Sequence, residues 1–133
     1  MGTYSVGEAA RAAGVSTRAV RLYEAKGLLA EPGRTSAGYR VLTDDHVDTL
    51  EFIRRGRSLG LSLNDIREIM DIAASGRPCC DRTRALLARR VSQIDAAIAD
   101  LTRLRATIVD AQLMPVDQVA GTRCAVIESA RDT

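Results

Sequence analysis

Three cysteines carry the most distinctive chemistry in this 133-residue sequence: Cys79, Cys80 and Cys124. No stretch has the length and apolar character of a membrane span or a signal peptide, which indicates a cytoplasmic protein. In that compartment thiols stay reduced, so an odd number of cysteines predicts free thiols or metal ligands rather than a disulfide framework. The alternative is that they are incidental small apolar residues. The only histidine, His46, is expected to be a satisfied helix residue and not a ligand.

A second group of side chains with binding chemistry lies between residues 15 and 29. Ser16 is a candidate N-cap, and Gly27 is a candidate C-terminal stop. Helical spacing predicts one apolar face, formed by Val15, Ala19, Leu22 and Ala25. The remaining face would present hydroxyl, guanidinium and phenol groups to phosphates and base edges. Its members are Thr17, Arg18, Arg21 and Tyr23.

The segment before this helix suggests why it would bind nucleic acid. Ser5 and Glu8 have the spacing of a capping box, and Gly14 marks a tight corner. A narrow face of small residues would let a second helix approach closely; it comprises Val6, Ala9, Ala10 and Ala13. Two short helices joined by a glycine turn are typical of a helix-turn-helix, whose second helix enters the major groove. A helical hairpin used only for packing is the alternative.

Three more elements are predicted before residue 80. Turn residues around Pro32 and Gly38 favour a hairpin wing in which Leu28–Leu29 pairs with Tyr39–Leu42. This wing would present Arg34, Tyr39 and Arg40 to the DNA backbone. A helix is predicted to start after Thr43, and its core-facing residues would be Val47, Leu50, Phe52 and Ile53. A second helix is predicted to start after Ser62, and its core-facing residues would be Leu63, Ile66, Ile69, Met70 and Ala73.

From Asp81 to about Ala111 the sequence predicts one long helix, because it contains no Gly or Pro. Apolar residues recur in a seven-residue repeat, which is typical of a coiled coil. They are Leu87, Val91, Ile94, Ile98, Leu101 and Ile108. Since the chain offers no comparable second helix, the repeat predicts a homodimer. Packing against the chain's own N-terminal half is the alternative.

Composition narrows the class of protein. Residues 1–43 contain six Lys/Arg and three Asp/Glu (6 − 3 = +3), whereas residues 44–133 contain 13 and 14 (13 − 14 = −1). The positive excess thus accompanies the predicted helix-turn-helix, as contact with phosphates requires. Aromatic residues are too scarce for a platform that stacks single-stranded bases. A single histidine, no phosphate loop and no Ser/His/Asp set argue against an enzyme.

Taken together, these motifs resemble the MerR family of transcriptional regulators along nearly the whole chain. The matching segments are Tyr4–Glu8, Val20–Glu24, Lys26–Leu29, Gly38–Arg40 and Leu59–Leu63, followed by the long helix. The resemblance implies a mainly α fold with a winged helix-turn-helix DNA-binding domain at 1–75. A linker and a long helix, which forms an antiparallel coiled coil in the dimer, follow at 76–113, and an effector-binding loop and tail at 114–133. Val41–Leu42 departs from the residues that many members carry after the Tyr-Arg pair.

The resemblance also implies a function. Members bind a palindromic operator as dimers and, on binding an effector, distort the DNA so that RNA polymerase can use the promoter. The implied DNA contacts are Thr17, Arg18, Arg21, Tyr23, Arg34, Tyr39 and Arg40. A dimeric adaptor that does not bind DNA is the alternative from a different class of protein.

Within the family, the cysteines are similar to those of the metal-sensing branch. There, a cysteine at the start of the long helix meets a loop of the partner chain that usually carries two cysteines. Cys80 and Cys124 match two of these positions, one loop cysteine is absent, and Cys79 could supply the third thiolate. Three thiolates suit a soft ion, with Hg(II) first and organomercury, Cd, Pb or As(III) behind it. A sensor of oxidants or electrophiles that uses the same thiols is the alternative.

Overall fold

The computed structural model describes residues 2–115 and 123–130, which are mainly helical, as predicted. The chain divides into two compact units, Met1–Leu87 and Ala88–Thr133. The helices are α1 (Val6–Ala13), α2 (Thr17–Ala25), α3 (Asp44–Ser58), α4 (Leu63–Ala74), α5 (Cys80–Gln112) and α6 (Ala125–Glu128). The strands are β1 (Thr3–Tyr4), β2 (Gly33–Arg34) and β3 (Arg40–Thr43). Within the described ranges, no helix is both long and apolar enough to cross a membrane.

Helix α1 begins and ends as its sequence predicts. The Glu8 amide donates to Ser5 Oγ at 3.1 Å, and the Ser5 amide donates to Glu8 Oε1 at 2.9 Å. The Ser5 backbone N–H lowers the pKa of the Glu8 carboxyl, and the Ser5 side chain adds a smaller effect in the same direction. Gly14 ends the helix with φ = 74°, a conformation that costs glycine no Cβ clash. The three alanines of the predicted small face, Ala9, Ala10 and Ala13, are all buried.

Helix α2 is capped by Ser16, whose Oγ accepts from the Ala19 amide at 3.0 Å. Its buried face differs in part from the predicted one: Val15 and Ala19 pack against the core as predicted, but Ala25 is exposed. Val20 and Tyr23 are in the core, whereas Leu22 is 44% exposed. The prediction that Tyr23 lies on the outer face is therefore wrong. A phenol ring buries more apolar area than a leucine at the neighbouring position would, and the helix is rotated accordingly.

The wing also differs from its prediction. Strand β2 is Gly33–Arg34, not Leu28–Leu29, and it pairs antiparallel with β3 with Arg34 opposite Arg40. Leu28 and Leu29 are buried in the core and do not form a strand. On its other edge β3 pairs with β1, a strand that no pattern in the sequence indicated. The sheet order is therefore β1-β3-β2.

Helices α3 and α4 complete the core of the N-terminal unit. Val47, Leu50 and Ile53 are buried as predicted. Phe52 is 44% exposed, so the prediction that it faces the core is wrong. In α4 the buried residues are Ile66 and Ile69, with Leu63 and Met70 packed at the edge of the core and Ala73 exposed. Arg54 of α3 donates from Nε to the Ala13 carbonyl at 2.9 Å, which joins α3 to the end of α1.

Helix α5 matches the predicted long helix closely, running from Cys80 to Gln112. The boundary between the two compact units lies within it, after Leu87. Leu86 is buried and Leu87 is half-buried against the core, but the other five residues of the seven-residue repeat are 44–65% exposed. Residues 125–127, expected to be an apolar part of the C-terminal loop, lie in α6, where Ile127 is 75% exposed. Residues 116–122 and 131–133 of that loop lie outside the described ranges.

His46 connects the start of α3 to the chain that leaves α2. Its Nδ1 accepts from the Thr43 amide at 2.9 Å, and its Nε2 is 2.9 Å from the Ala30 carbonyl oxygen. Because the Thr43 amide can only donate and the Ala30 carbonyl can only accept, the proton must be on Nε2. His46 is therefore buried as a neutral, fully hydrogen-bonded residue, as predicted.

Replacing His46 by Ala should leave the Thr43 amide and the Ala30 carbonyl without their partner. We expect the free energy of unfolding, measured in urea, to fall by about 1–3 kcal/mol. Asp48→Ala, at an exposed site of the same helix, is the matched control and should change it by less than about 0.5 kcal/mol. Equal effects of the two substitutions would contradict the assigned role of His46.

Asp44 holds the N-terminal strand against the start of α3. Its carboxylate accepts from the Gly2 amide at 2.9 Å and from the Tyr4 hydroxyl at 2.7 Å. These two hydrogen bonds lower the pKa of Asp44, the Gly2 amide having the larger effect. The bond to Asp44 also raises the pKa of Tyr4.

Replacing Asp44 by Asn should destabilise the protein in a manner that depends on pH. A carboxyl whose folded pKa is lowered stabilises the fold above its unfolded pKa of about 3.9, and this contribution is lost as the pH falls through the folded value. The urea midpoints of wild type and Asp44→Asn should thus differ most above about pH 5, and the difference should shrink in acid as the Asp44 carboxyl of the folded protein becomes protonated. A difference that stays constant with pH would show that the charge of Asp44 is not responsible.

Candidate nucleic-acid interface and thiol sites

The exposed face of α2 carries three of the predicted contact residues, Thr17, Arg18 and Arg21. They follow the Ser16 cap, so they occupy the first two turns of the helix. This is the end from which a helix lying in the major groove reaches base edges. Tyr23 is buried, so it is not accessible as the DNA contact that was predicted.

The wing is held in shape by its own hydrogen bonds. The Thr35 amide donates to the Tyr39 carbonyl at 2.8 Å, and the Gly38 amide donates to the Thr35 carbonyl at 2.9 Å. Gly38 has φ = 87°, which L side chains rarely adopt, so this tip requires glycine. Arg34 donates from Nη1 to the Gly38 carbonyl at 2.9 Å. Tyr39 is 74% exposed beside this tip, where its ring is accessible to a binding partner.

A cleft of about 760 Å³ lies between the start of α1, the exposed side of α2 and the wing. Its charged lining consists of Arg21, Glu24, Arg34 and Arg40. Ser5, Val6 and Gly7, at the positive end of the α1 dipole, form a further part of its wall. Three guanidinium groups around one cleft can hold a phosphate backbone through charge-assisted hydrogen bonds. The structure thus brings α2 and the wing together on one surface.

The cleft contains a carboxylate that the sequence pattern did not indicate. Glu24 Oε2 accepts from Arg40 Nη1 at 3.0 Å, with the two side chains 19% and 35% exposed. Glu24 and Arg40 are far enough apart in sequence that no local pattern predicts the pair. The nearest local signal is the spacing of Arg21 and Glu24, three residues apart on α2, which places them on one side of the helix.

Two of the three thiols lie at the start of α5. Cys79 is half-buried against the core and Cys80 is exposed. The Thr83 amide and hydroxyl each donate to the Cys79 carbonyl at 2.9 Å, which fixes the backbone of the first turn. Both thiols border an apolar cavity of about 490 Å³, whose other lining residues include Phe52, Leu59, Leu61, Ile66 and Ile69.

The third thiol, Cys124, is exposed at the start of α6. Over residues 2–115 and 123–130, no three His, Cys, Asp or Glu side chains of one chain come together to hold a metal ion. Adjacent free thiols at a helix start are nonetheless the donor type that soft ions prefer.

Comparison with known proteins identifies the family. Residues 4–72 match the family of MerR HTH regulatory proteins, and residues 47–111 match the family described as MerR, DNA binding. The mercuric resistance operon regulatory protein of Bacillus cereus is 30% identical over 126 residues, which are 95% of this chain and 96% of that protein.

Solved structures agree with this assignment. The transcription regulator PbrR691 from Ralstonia metallidurans CH34, in complex with lead(II), is 25% identical with a TM-score of 0.76, covering 95% of this chain and 98% of that one. HiNmlR, a MerR family regulator bound to promoter DNA, is 28% identical with a TM-score of 0.58, covering 79% and 80%. The chain therefore belongs to the MerR family of helix-turn-helix regulators, which are DNA-binding transcription regulators and not enzymes.

Proposed function

We propose that this protein is a metal-responsive transcription regulator that binds a palindromic promoter operator as a homodimer, with Hg(II) as its effector. The observation that carries the DNA-binding part is the cleft lined by three arginines beside the exposed face of α2. The proposed contacts are Thr17, Arg18, Arg21, Arg34, Tyr39 and Arg40. Of these, Arg18 and Arg21 face base edges, whereas the wing contacts the sugar-phosphate backbone.

The exposed repeat of α5 supports the homodimer. Val91, Ile94, Ile98, Leu101 and Ile108 are each at least 44% exposed, and they recur on one face of the helix. A row of large apolar side chains along a helix is stable in water only when a second helix covers it. A second copy of α5, antiparallel to the first, is the proposed partner, and Leu87 extends the seam towards the core.

The thiols support a soft effector. In the proposed site, Cys79 and Cys80 of one protomer and Cys124 of its partner hold the ion, which is the arrangement that the resemblance to the metal-sensing branch implies. Thiolates strongly favour mercury and other soft ions over hard ones. Of the similar proteins, one is named for mercury resistance and another was solved with lead(II), so the choice of Hg(II) rests on the three-thiolate donor set.

The activated state is proposed to use binding energy to distort the promoter. In the proposed dimer, one coiled coil fixes the distance between the two helix-turn-helix domains, each of which binds one half-site. A change in the relative position of these two domains must therefore deform the DNA between the half-sites. RNA polymerase is the proposed partner that uses the realigned promoter.

The DNA-binding proposal is tested by replacing Arg18 or Arg21 with Ala. The DNA used is a duplex that the wild-type protein selects from a random library. Each change should weaken binding to this duplex by about 1–3 kcal/mol for each protomer, the loss expected for a side chain that contacts a base edge. Fluorescence anisotropy over a range of KCl concentrations gives both the affinity and the salt slope. Arg103→Ala, which removes the same charge from α5, should change neither. An adaptor that does not bind DNA would select no duplex.

The metal proposal is tested by titrating the reduced protein with Hg(II) and following thiolate-to-metal absorbance in the ultraviolet. We expect one ion per protomer, and we expect Cys79→Ser, Cys80→Ser and Cys124→Ser each to weaken binding. Retention of tight binding in Cys79→Ser would reduce the site to two thiolates. Weak binding without defined stoichiometry would instead favour a sensor of oxidants or electrophiles.

Mixed dimers test whether the site is shared between protomers. A chain with both Cys79→Ser and Cys80→Ser has no complete site as a homodimer, and neither has a chain with Cys124→Ser. In a heterodimer of the two, one shared site retains all three thiolates and the other retains none. Unfolding and refolding an equal mixture should thus restore Hg(II) binding, at one ion per heterodimer. No recovery would rule out a site shared between chains.

A further inference from the structure

The cleft between α1, α2 and the wing contains a charge of the wrong sign for contact with DNA. Among the described residues that line it, Glu24 is the only acid, beside Arg21, Arg34 and Arg40. Its carboxylate is 19% exposed, so it is set into the cleft wall. By simple electrostatics, a carboxylate facing phosphates weakens binding. We therefore looked for a contact of Glu24 that would offset this loss of affinity for DNA.

The register of the wing indicates such a contact. Arg34 and Arg40 lie directly opposite each other on β2 and β3. Like charges directly opposite on paired strands repel each other. Each guanidinium is held by a different acceptor: Arg34 by the Gly38 carbonyl at 2.9 Å and Arg40 by Glu24 at 3.0 Å. Glu24 thereby binds Arg40 to α2, whereas the bond of Arg34 stays within the wing.

The bond to Glu24 leaves Arg40 able to bind a second group. A guanidinium has five N–H donors, and the bond to Glu24 uses a donor on Nη1 alone. Arg40 lines the cleft and its side chain is 35% exposed, so the guanidinium is accessible to a second group there. Without Glu24, this long side chain would be free to adopt many rotamers and would have to be ordered when DNA binds.

We propose that Glu24 is a positioning residue that holds the Arg40 guanidinium in the cleft for contact with a DNA phosphate. This inference rests on the DNA-binding role proposed for the cleft. Charge repulsion alone predicts that removal of the Glu24 carboxylate strengthens binding to DNA. The proposed positioning role predicts the opposite, that its removal weakens binding.

The test measures binding of the selected duplex by fluorescence anisotropy for wild type, Glu24→Gln, Glu24→Ala, Arg40→Ala and the double variant Glu24→Ala/Arg40→Ala. Glu24→Ala should weaken binding by roughly tenfold, the scale of one charge-assisted hydrogen bond. Its salt slope should fall towards that of Arg40→Ala, by about 0.9 for each phosphate that is no longer neutralised. In the Arg40→Ala background, Glu24→Ala should weaken binding no further.

Glu31→Gln is the matched control, because it removes one exposed acid that precedes the wing and lies outside the lining of the cleft. It should leave the affinity unchanged or raise it slightly. Tighter binding by Glu24→Ala, or an equal weakening with and without Arg40, would overturn the proposal. Urea unfolding identifies any variant that does not fold. Glu24→Gln, whose amide oxygen can still accept from Arg40, should weaken binding less than Glu24→Ala does. If Glu24→Ala fails to fold, Glu24→Leu, which has similar bulk but no acceptor for Arg40, carries the test with the same expected signs.

The variants distinguish failure of the DNA-binding proposal from failure of the role proposed for Glu24. If the wild-type protein selects no duplex, the DNA-binding proposal fails. If wild type binds and Arg40→Ala weakens binding while Glu24→Ala does not, only the role of Glu24 is rejected.

Discussion

The close approach of α1 to its neighbours is the constraint on which the N-terminal unit depends. Ala9, Ala10 and Ala13 are almost completely buried, so no larger side chain fits at these positions without moving α1. The carbonyl of Ala13 accepts from Arg54 of α3, and Gly14 turns the chain directly into α2. The position of the arginine-bearing helix is therefore set by the small size of three residues that lie away from the proposed DNA-binding surface.

A second set of hydrogen bonds fixes the wing relative to that helix. His46 links the start of α3 to the carbonyl of Ala30, and Glu24 links α2 to Arg40. The wing consists of a two-residue strand paired with a four-residue strand, which is too short to be stable alone in water. Its place beside α2 thus comes from side chains outside the hairpin, as well as from pairing of β3 with β1.

Those elements whose signals are local could be predicted from the sequence. The caps at Ser5 and Ser16, the turn at Gly14 and the long helix after residue 80 depend on neighbours in sequence, and all are present. The predicted inward face of α2 was wrong at Leu22, because nine residues fit a helical stripe in two registers and the packing of the core decides between Leu22 and Tyr23. The pairing of Glu24 with Arg40 and the presence of strand β1 were missed because they join distant segments. The proposed meeting of the three thiols involves a second chain, and no local pattern of residues encodes such a pairing.

One feature of α2 makes this protein convenient to label. Lys26 is the only lysine in the sequence, and it is the exposed C-cap residue of α2. Once the α-amino group has been blocked, an amine-directed reagent can modify only this side chain. A fluorophore or cross-linker placed there would lie at the end of the arginine-bearing helix and would report on the environment of that helix alone, without the engineered cysteines that the native thiols would complicate.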